Sequence, residues 1–185
     1  MDHDEIARLN HEYGGDWAIQ HSERLLHLVA MLGEGVEYDH EAVWLAAYLH
    51  DWGGYEKWMV SGVDHNIRSA EVARGFLEER GCPDDLKELV LEIIVNHHGG
   101  PADRSIESIL FTDADALDLL GVVGTLRVFS MWPRNLQGAV ATTKRYREMC
   151  IAALTSDKAK KIAKTRIRET DDLLAKFEEE TFGIY

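Results

Sequence analysis

The sequence predicts an all-α protein, and three observations favour that fold class. Apolar residues recur every three or four positions along nearly the whole chain of 185 residues, which is the spacing of one helix face. No segment alternates apolar and polar residues for long enough to predict a strand. Only three prolines occur, so long helices can run without interruption. The length and a hydrophobic content of 45% predict a single domain over residues 1–185.

Start and stop signals divide the chain into seven predicted helices. Asp16 and Asp39 are N-cap residues for the first two helices, since an aspartate at this position accepts a backbone N–H. Pro83 stands at a helix-start position for the fourth. Glycines stop the first four helices, and Gly121 and Gly124 are expected to bend the fifth. The predicted helices cover residues 16–32, 39–53, 64–80, 83–99, 105–129, 138–154 and 156–181, with a loop at 131–137.

The charge and the cysteine count exclude several classes of protein. A net charge of −13 argues against non-specific binding to nucleic acid or to an anionic membrane. No apolar run is long enough for a membrane span, and the N-terminus lacks the pattern of a signal peptide. Cys82 and Cys150 are too few and too far apart for a disulfide framework or a thiolate zinc site. We therefore expect a cytoplasmic protein.

Several of the nine histidines fall on apolar helix faces near helix ends. His21 shares a face with leucines, His50 follows an apolar face and precedes Asp51, and His97 continues an apolar face of the fourth helix. A lone histidine there is usually a packed core residue, and a lone aspartate is usually a cap. Several such residues directed inward from different helices are instead typical of a metal site in a helical bundle. Four other histidines are assigned to the surface or to packing: His3, His11, His27 and His40.

The flanking residues resemble the HD superfamily of metal-dependent phosphohydrolases, whose signature is H…HD…D. QHSERLLHLV is similar to the helix of the first histidine, and LAAYLHDWGG to the AAxLHDxG segment. IIVNHHGG resembles the segment that ends in a histidine pair. ILFTDADALDLLGVVGTLR resembles the DADxLDxxGxxGxxR helix of small bacterial and archaeal members. The resemblance covers nearly the whole chain and implies a compact helical bundle with a metal site between helices.

The resemblance also implies a set of metal ligands. His21, His50, Asp51 and Asp115 match the four ligands of the first metal, with Asp113 as the alternative to Asp115. In members that bind two metals, the further ligands correspond to His65, His97 and His98, and Asp51 bridges the two ions. Imidazole and carboxylate donors favour one or two divalent ions of manganese, iron, cobalt, nickel, zinc or magnesium.

Two departures narrow the expected activity. Many relatives carry HDxGK, whereas this chain reads HDWGGYEKW, so the equivalence of Lys57 stays open. The HHExxDGxGYP extension of the HD-GYP cyclic-dinucleotide phosphodiesterases is missing, because PADRS follows HHGG. Cleavage of cyclic dinucleotides is therefore not expected.

The predicted reaction is hydrolysis of a phosphate ester or anhydride in a small anionic substrate, and the preferred substrate class is a nucleotide or related metabolite. Asp51 or Asp118 is the candidate acceptor for the proton of water. Guanidinium groups match phosphate oxygens, and the candidates are Arg24, Arg127, Arg68 and, as an ammonium group, Lys57. Arg24 and Arg127 are preferred. The glycines after Asp51 are expected to open space for the substrate.

Two other functions remain as alternatives. Some HD-fold proteins use six histidine and aspartate ligands for a di-iron site that activates oxygen, and this chain contains residues for all six. A degenerate HD module that binds without turnover is a third interpretation, but the intact ligand set weighs against it. Trp132, in the predicted loop, is either a stacking or a packing residue. A homodimer is an open possibility.

Overall fold

The structure is a computed structural model that describes residues 1–185 and contains helices without strands, which confirms the all-α prediction. A short 3-10 turn, Trp52–Gly54, follows the second helix. None of the helices is both long and apolar enough to cross a membrane. The eight α-helices are α1 (His3–Leu32), α2 (His40–Leu49), α3 (His65–Glu79), α4 (Asp84–Asn96), α5 (Ile106–Leu119), α6 (Gly121–Ser130), α7 (Leu136–Ala153) and α8 (Asp157–Thr181).

The chain divides into two compact units, residues 1–112 and 113–185, and the boundary falls inside α5. In the first unit α2 packs against α1 and α4, while α3 packs against α4 and the 3-10 turn. Fully buried leucines and isoleucines, including Leu25, Leu45, Leu49 and Ile93, occupy these contacts. Each such side chain stabilises the fold by about 1.5–3 kcal/mol. In the second unit α6, α7 and α8 pack on one another. The single domain over 1–185 stays a prediction.

The start of α1 differs from the prediction. Asp2, not Asp16, caps this helix by accepting a hydrogen bond from the backbone N–H of Glu5 (3.1 Å). The helix bends at Gly15, whose φ of 68° and ψ of −167° are not helical. Asp16 lies beyond the bend and pairs with His11 (2.9 Å). The sequence signal for a helix start therefore marks a bend inside a longer helix.

The predicted helix 105–129 is also interrupted. Leu120 is extended, with φ −85° and ψ 150°, and Gly121 has a φ of 88°, which favours glycine. The chain therefore ends α5 at Leu119 and starts α6 at Gly121. The sequence predicted a bend at this position, whereas the structure has a complete break between two helices.

Two helix ends lie earlier than predicted, and both precede histidines. Helix α2 ends at Leu49 rather than near residue 53, and α4 ends at Asn96 rather than near residue 99. His50 and His97 are consequently the C-cap residues of these helices. The last four carbonyls of a helix have no partner in its own hydrogen-bond ladder. Those carbonyls are available to side chains at these two ends.

Candidate metal centre

Two groups of metal-ligating side chains lie in the first unit. The first histidine group consists of His21, His50 and Asp51, and the second consists of His65, His97 and His98. Within each group, one donor atom from every residue lies within 4.8 Å of the other two. The first group combines α1 with the end of α2, and the second combines the start of α3 with the end of α4.

The imidazole nitrogens converge in pairs. Nε2 of His50 lies 3.3 Å from Nε2 of His21. Nε2 of His65 lies 3.3 Å from Nε2 of His97. The two pairs are neighbours, since the ring centroids of His50 and His97 are 5.0 Å apart. Nitrogens that approach this closely repel unless a proton or a cation lies between them, so both pairs suit a metal ion.

Asp51, a member of the first group, lies between the histidine rings of the two groups. Its Oδ2 is 3.4 Å from Nε2 of His50 and 3.9 Å from Nε2 of His21, while its Oδ1 is 3.8 Å from Nε2 of His65. One carboxylate oxygen therefore faces the first group and the other faces the second. This is the arrangement that a carboxylate bridging two metal ions requires.

Backbone carbonyls fix the tautomers of two histidines. Nδ1 of His50 lies 3.2 Å from the carbonyl oxygen of Ala47, and Nδ1 of His97 lies 2.6 Å from that of Ile94. A carbonyl oxygen only accepts, so Nδ1 carries the proton and donates it. When such a ring is neutral, its Nε2 lone pair is directed at the other nitrogens. Carbonyls that hold the second ring nitrogen are the usual outer partners of metal-bound histidine.

The electrostatics of the centre keep its donors ready for a cation. Burial raises the pKa of Asp51, but the positive charge that His50, His21 and His97 carry when protonated outweighs burial, and the net pKa lies well below the usual value. Burial lowers the pKa of His65 more than the charge of Asp51 raises it. Asp51 is therefore ionised and His65 neutral near pH 7. The donor set, with its fixed tautomers, fits one or two divalent metal ions.

Gly53 holds the two groups next to each other. A Cβ atom at Gly53 would clash with Ser69 N and would lie 2.7 Å from the carbonyl oxygen of His65. Gly53 N–H also donates to Ser69 Oγ (2.9 Å). The expectation that this glycine opens space for substrate is wrong at Gly53, because the position is buried against the backbone of α3. Its small size instead brings the His65 end of α3 close to Asp51.

The predicted site residues of the second unit lie on α5 and α6. Asp115 is 4% exposed, and its place as a metal ligand stays a prediction. The two carboxylate oxygens of Asp113 accept backbone N–H groups of Thr155 (2.7 Å) and Ser156 (2.9 Å). These bonds give Asp113 a structural role at the start of α8.

Asp118 and Arg127 were predicted to have separate roles, and the structure joins them. Arg127 donates from its Nη1 to Asp118 Oδ2, and both side chains are largely buried. A buried ion pair depends on both partners, because either charge alone would be costly. Any role in catalysis would therefore involve the two residues together.

Two of the remaining basic candidates, Arg68 and Lys57, have hydrogen-bond partners in the structure. Arg68 donates to the carbonyl oxygen of Trp58 (2.8 Å) and to Glu71 (3.0 Å). Lys57 donates to the hydroxyl of Tyr13 and lies over the Tyr13 and Trp58 rings. Arg24 is half-buried, almost one helical turn after His21.

The histidines assigned to the surface or to packing are half-exposed or exposed, as predicted: His3, His11, His27 and His40.

Sequence reasoning missed the residues that support the ligands. Ser22 donates to the carbonyl oxygen of Ala47 (2.6 Å), the same oxygen that His50 uses. Ser69 Oγ accepts a hydrogen bond from the backbone N–H of Gly53, which follows Asp51 in the 3-10 turn. Thr112 donates to the carbonyl oxygen of Asn96, which precedes His97. The serine after His21 was part of the motif that carries the resemblance, but no local pattern indicates which carbonyl it reaches.

Comparison with known proteins places these features in a family. The family model described as HD domain matches residues 18–120. Bacillus subtilis YpgQ, solved in complex with ADP, is 25% identical with a TM-score of 0.71, and the match covers 100% of both chains. A predicted HD superfamily hydrolase from an uncultured Thermotogales bacterium is 25% identical over 95% of this chain and 89% of its own, with a TM-score of 0.64.

A structure with lower identity has the same fold. An HD-superfamily hydrolase from Bacillus thuringiensis is 19% identical over 99% of this chain and 97% of its own, with a TM-score of 0.69. The fold is therefore that of HD superfamily hydrolases.

Proposed function

Since the chain belongs to the HD-domain family, we propose that it is a metal-dependent phosphohydrolase. Its substrate is a phosphate ester or anhydride of a small molecule, and a nucleotide or related metabolite is the preferred class. The position of Asp51 carries the proposal, because its two oxygens face two separate groups of histidines. A pair of cations held in this way suits a substrate rich in phosphoryl oxygens.

The residues of the site have two proposed roles: some bind the metal ions and others contact the substrate. His21, His50, Asp51 and Asp115 are the proposed ligands of the first ion. His65, His97 and His98, with Asp51 shared, are those of the second. A bound divalent ion supplies positive charge for phosphoryl oxygens and lowers the pKa of water. Manganese, iron, cobalt, nickel, zinc and magnesium are the candidate ions.

The proton and the phosphate need further groups. Asp51 or Asp118 accepts the proton that water releases, and Arg24 and Arg127 bind phosphoryl oxygens. The Asp118–Arg127 ion pair supports coupled roles for these two residues, since the charge of one stabilises the charge of the other. The local positive charge also explains how a chain of net charge −13 binds an anion.

One relative supports the preference for a nucleotide. YpgQ was solved in complex with ADP, and the match to it covers the whole of this chain. ADP contains both a phosphate ester and an anhydride, so it does not choose between these bonds. A substrate panel must therefore contain phosphate esters and anhydrides.

The test combines metal analysis with a substrate screen. Gently purified protein is analysed for bound metals and is then assayed on phosphomonoesters and nucleoside mono-, di- and triphosphates with added manganese, cobalt or nickel. We expect phosphate or pyrophosphate release that is lost in His50→Ala and Asp51→Ala and retained in His27→Ala, which changes an exposed histidine. Activity that survives His50→Ala and Asp51→Ala contradicts the proposal.

A di-iron oxygenase is the second candidate, because the two groups around Asp51 contain enough donors for an iron pair. Metal analysis separates the two functions. Two irons per chain with an EPR signal of a mixed-valent pair, together with no phosphate release on the panel, would favour the oxygenase.

A further inference from the structure

A chain of hydrogen bonds links a tyrosine to the ring of His50. Tyr55 donates from its hydroxyl to Asn10 Oδ1 (3.2 Å), and Asn10 donates from Nδ2 to Ser22 Oγ (3.1 Å). Ser22 donates to the carbonyl oxygen of Ala47 (2.6 Å), which also accepts from Nδ1 of His50 (3.2 Å). The links join α1, the segment after the 3-10 turn, and the end of α2.

The direction of each link follows from its neighbour. The phenol of Tyr55 donates to the amide oxygen of Asn10 and so directs the amide nitrogen toward Ser22. A serine hydroxyl has one proton. Because Ser22 Oγ accepts from Asn10, its proton is left for Ala47. Tyr55 thus fixes the orientation of the Asn10 amide, and that amide fixes the direction of the Ser22 hydroxyl.

The Ala47 carbonyl can accept both bonds because of where α2 ends. The helix ends at Leu49, so Ala47 is among the last four residues, whose carbonyls have no partner in the helical ladder. Its oxygen has two lone pairs, and Ser22 and His50 each use one. Asn10, Ser22 and Ala47 are each 1% exposed, so water does not replace a lost member easily.

We propose that Ser22 is a positioning residue for His50. Ser22 holds the Ala47 carbonyl at the place where it accepts the Nδ1 proton of His50, and Asn10 and Tyr55 fix the direction of the Ser22 hydroxyl. The result is a ring whose Nε2 lone pair is directed into the first histidine group. The proposal rests on the proposed function only in treating His50 as a metal ligand.

The decisive measurement is the tautomer of His50 in metal-free protein. Long-range proton–nitrogen NMR on protein with nitrogen-15 histidine distinguishes the two tautomers, and His50→Gln assigns the signal. At alkaline pH we expect the Nδ1-protonated form of His50 in the unmodified protein. Ser22→Ala and Tyr55→Phe should both raise the fraction of the Nε2-protonated form, with the larger change in Ser22→Ala.

The matched control is Ser108→Ala. Ser108 is a buried serine of the same unit whose Oγ has no hydrogen-bond partner. It should leave the tautomer of His50 unchanged. An unchanged tautomer in both Ser22→Ala and Tyr55→Phe contradicts the proposal, and so does an equal change in Ser108→Ala. Tyr55→Phe decides the question if Ser22→Ala does not fold, since it removes only one hydroxyl from a half-buried ring.

Metal affinity provides a second readout. Competition of manganese or zinc with a chelator dye should show about tenfold weaker binding in Ser22→Ala, the loss typical of an outer partner of a metal ligand. Ser108→Ala should bind as the unmodified protein does. Unmodified protein that binds no metal would contradict the proposed function, whereas the tautomer in metal-free protein tests the role of Ser22 by itself.

Discussion

The two histidine groups are built by the same device but differ in their exposure. In each group a histidine follows the last residue of a helix and donates from Nδ1 to the carbonyl three residues earlier. His21 and His50 of the first group are 3% and 2% exposed. In the second group His97 is buried, but His65 is half-buried and His98 exposed. A metal ion at the first group would be held away from water, and one at the second would be easier to exchange.

The two histidine groups also differ in how firmly the surrounding residues hold their side chains. The buried group is fixed on several sides, since Ser22, Asn10 and Tyr55 support the carbonyl that orients His50. The open group lies at the start of α3 and the end of α4, where the His98 side chain is exposed. Preorganised ligands favour tight binding because less freedom is lost when the ion binds. We therefore expect the first group to bind metal more tightly.

Removing Asp51 should weaken metal binding at both groups, so that they no longer differ in affinity. Asp51→Ala deletes the carboxylate that faces both, so we expect metal to be lost from both and activity to fall by more than about 100-fold, which exceeds the loss of an outer partner. Elemental analysis and phosphate release measure this. Asp16→Ala, which removes an exposed carboxylate, should match the unmodified protein. Full metal content in Asp51→Ala would contradict a shared ligand.

Removing one histidine from each group in turn should distinguish the metal affinities of the two groups. His50→Ala should weaken binding of the tighter ion by at least about tenfold, because a direct ligand matters at least as much as an outer partner. His98→Ala should leave that ion in place and weaken only the other. Titration calorimetry with manganese would resolve the two affinities. Equal losses in the two variants would show that the groups do not differ as exposure suggests.

Adding one methyl group should push the groups apart. Gly53→Ala places a Cβ against the backbone of α3, and such overpacking destabilises by about 1–3 kcal/mol. Gly54→Ala is the matched control, since a Cβ there would lie 3.9 Å from that of His65, an ordinary contact. Urea unfolding measures the stability of both. A Gly53→Ala protein as stable as Gly54→Ala would contradict the close approach.

The smallest expected effect is on the titration of His65. Burial lowers its pKa and the charge of Asp51 partly raises it again. In metal-free protein the NMR titration midpoint should therefore lie below 6.5, the usual value for histidine. Asp51→Asn removes the raising influence and should lower the midpoint further. A midpoint that rises in Asp51→Asn would contradict this balance.

Much of the fold and part of the site could be predicted from the sequence. The apolar spacing and the glycine stops predicted most helices, since both act within a few residues. The predicted ligands His21, His50 and Asp51 lie together, as do His65, His97 and His98. Their assignment as metal ligands remains a prediction.

The parts that could not be predicted depend on distant contacts. Asp16 resembles a helix cap locally, but the helix that passes it starts at His3 and bends at Gly15. The close packing of Gly53 against α3 depends on contacts with residues 12 or more positions away. The link from Ser22 to Ala47 spans 25 residues. No local propensity encodes such a partner.

The position of Asp51 has a consequence for how the two groups fill. One carboxylate faces both groups, so an ion bound at either group would change the charge and orientation that an ion at the other encounters. The two binding equilibria are then thermodynamically linked, and the linkage is reciprocal: whatever factor one ion imposes on the affinity of the second, the second imposes on the first. The loading curve of this protein would therefore depart from that of two independent sites.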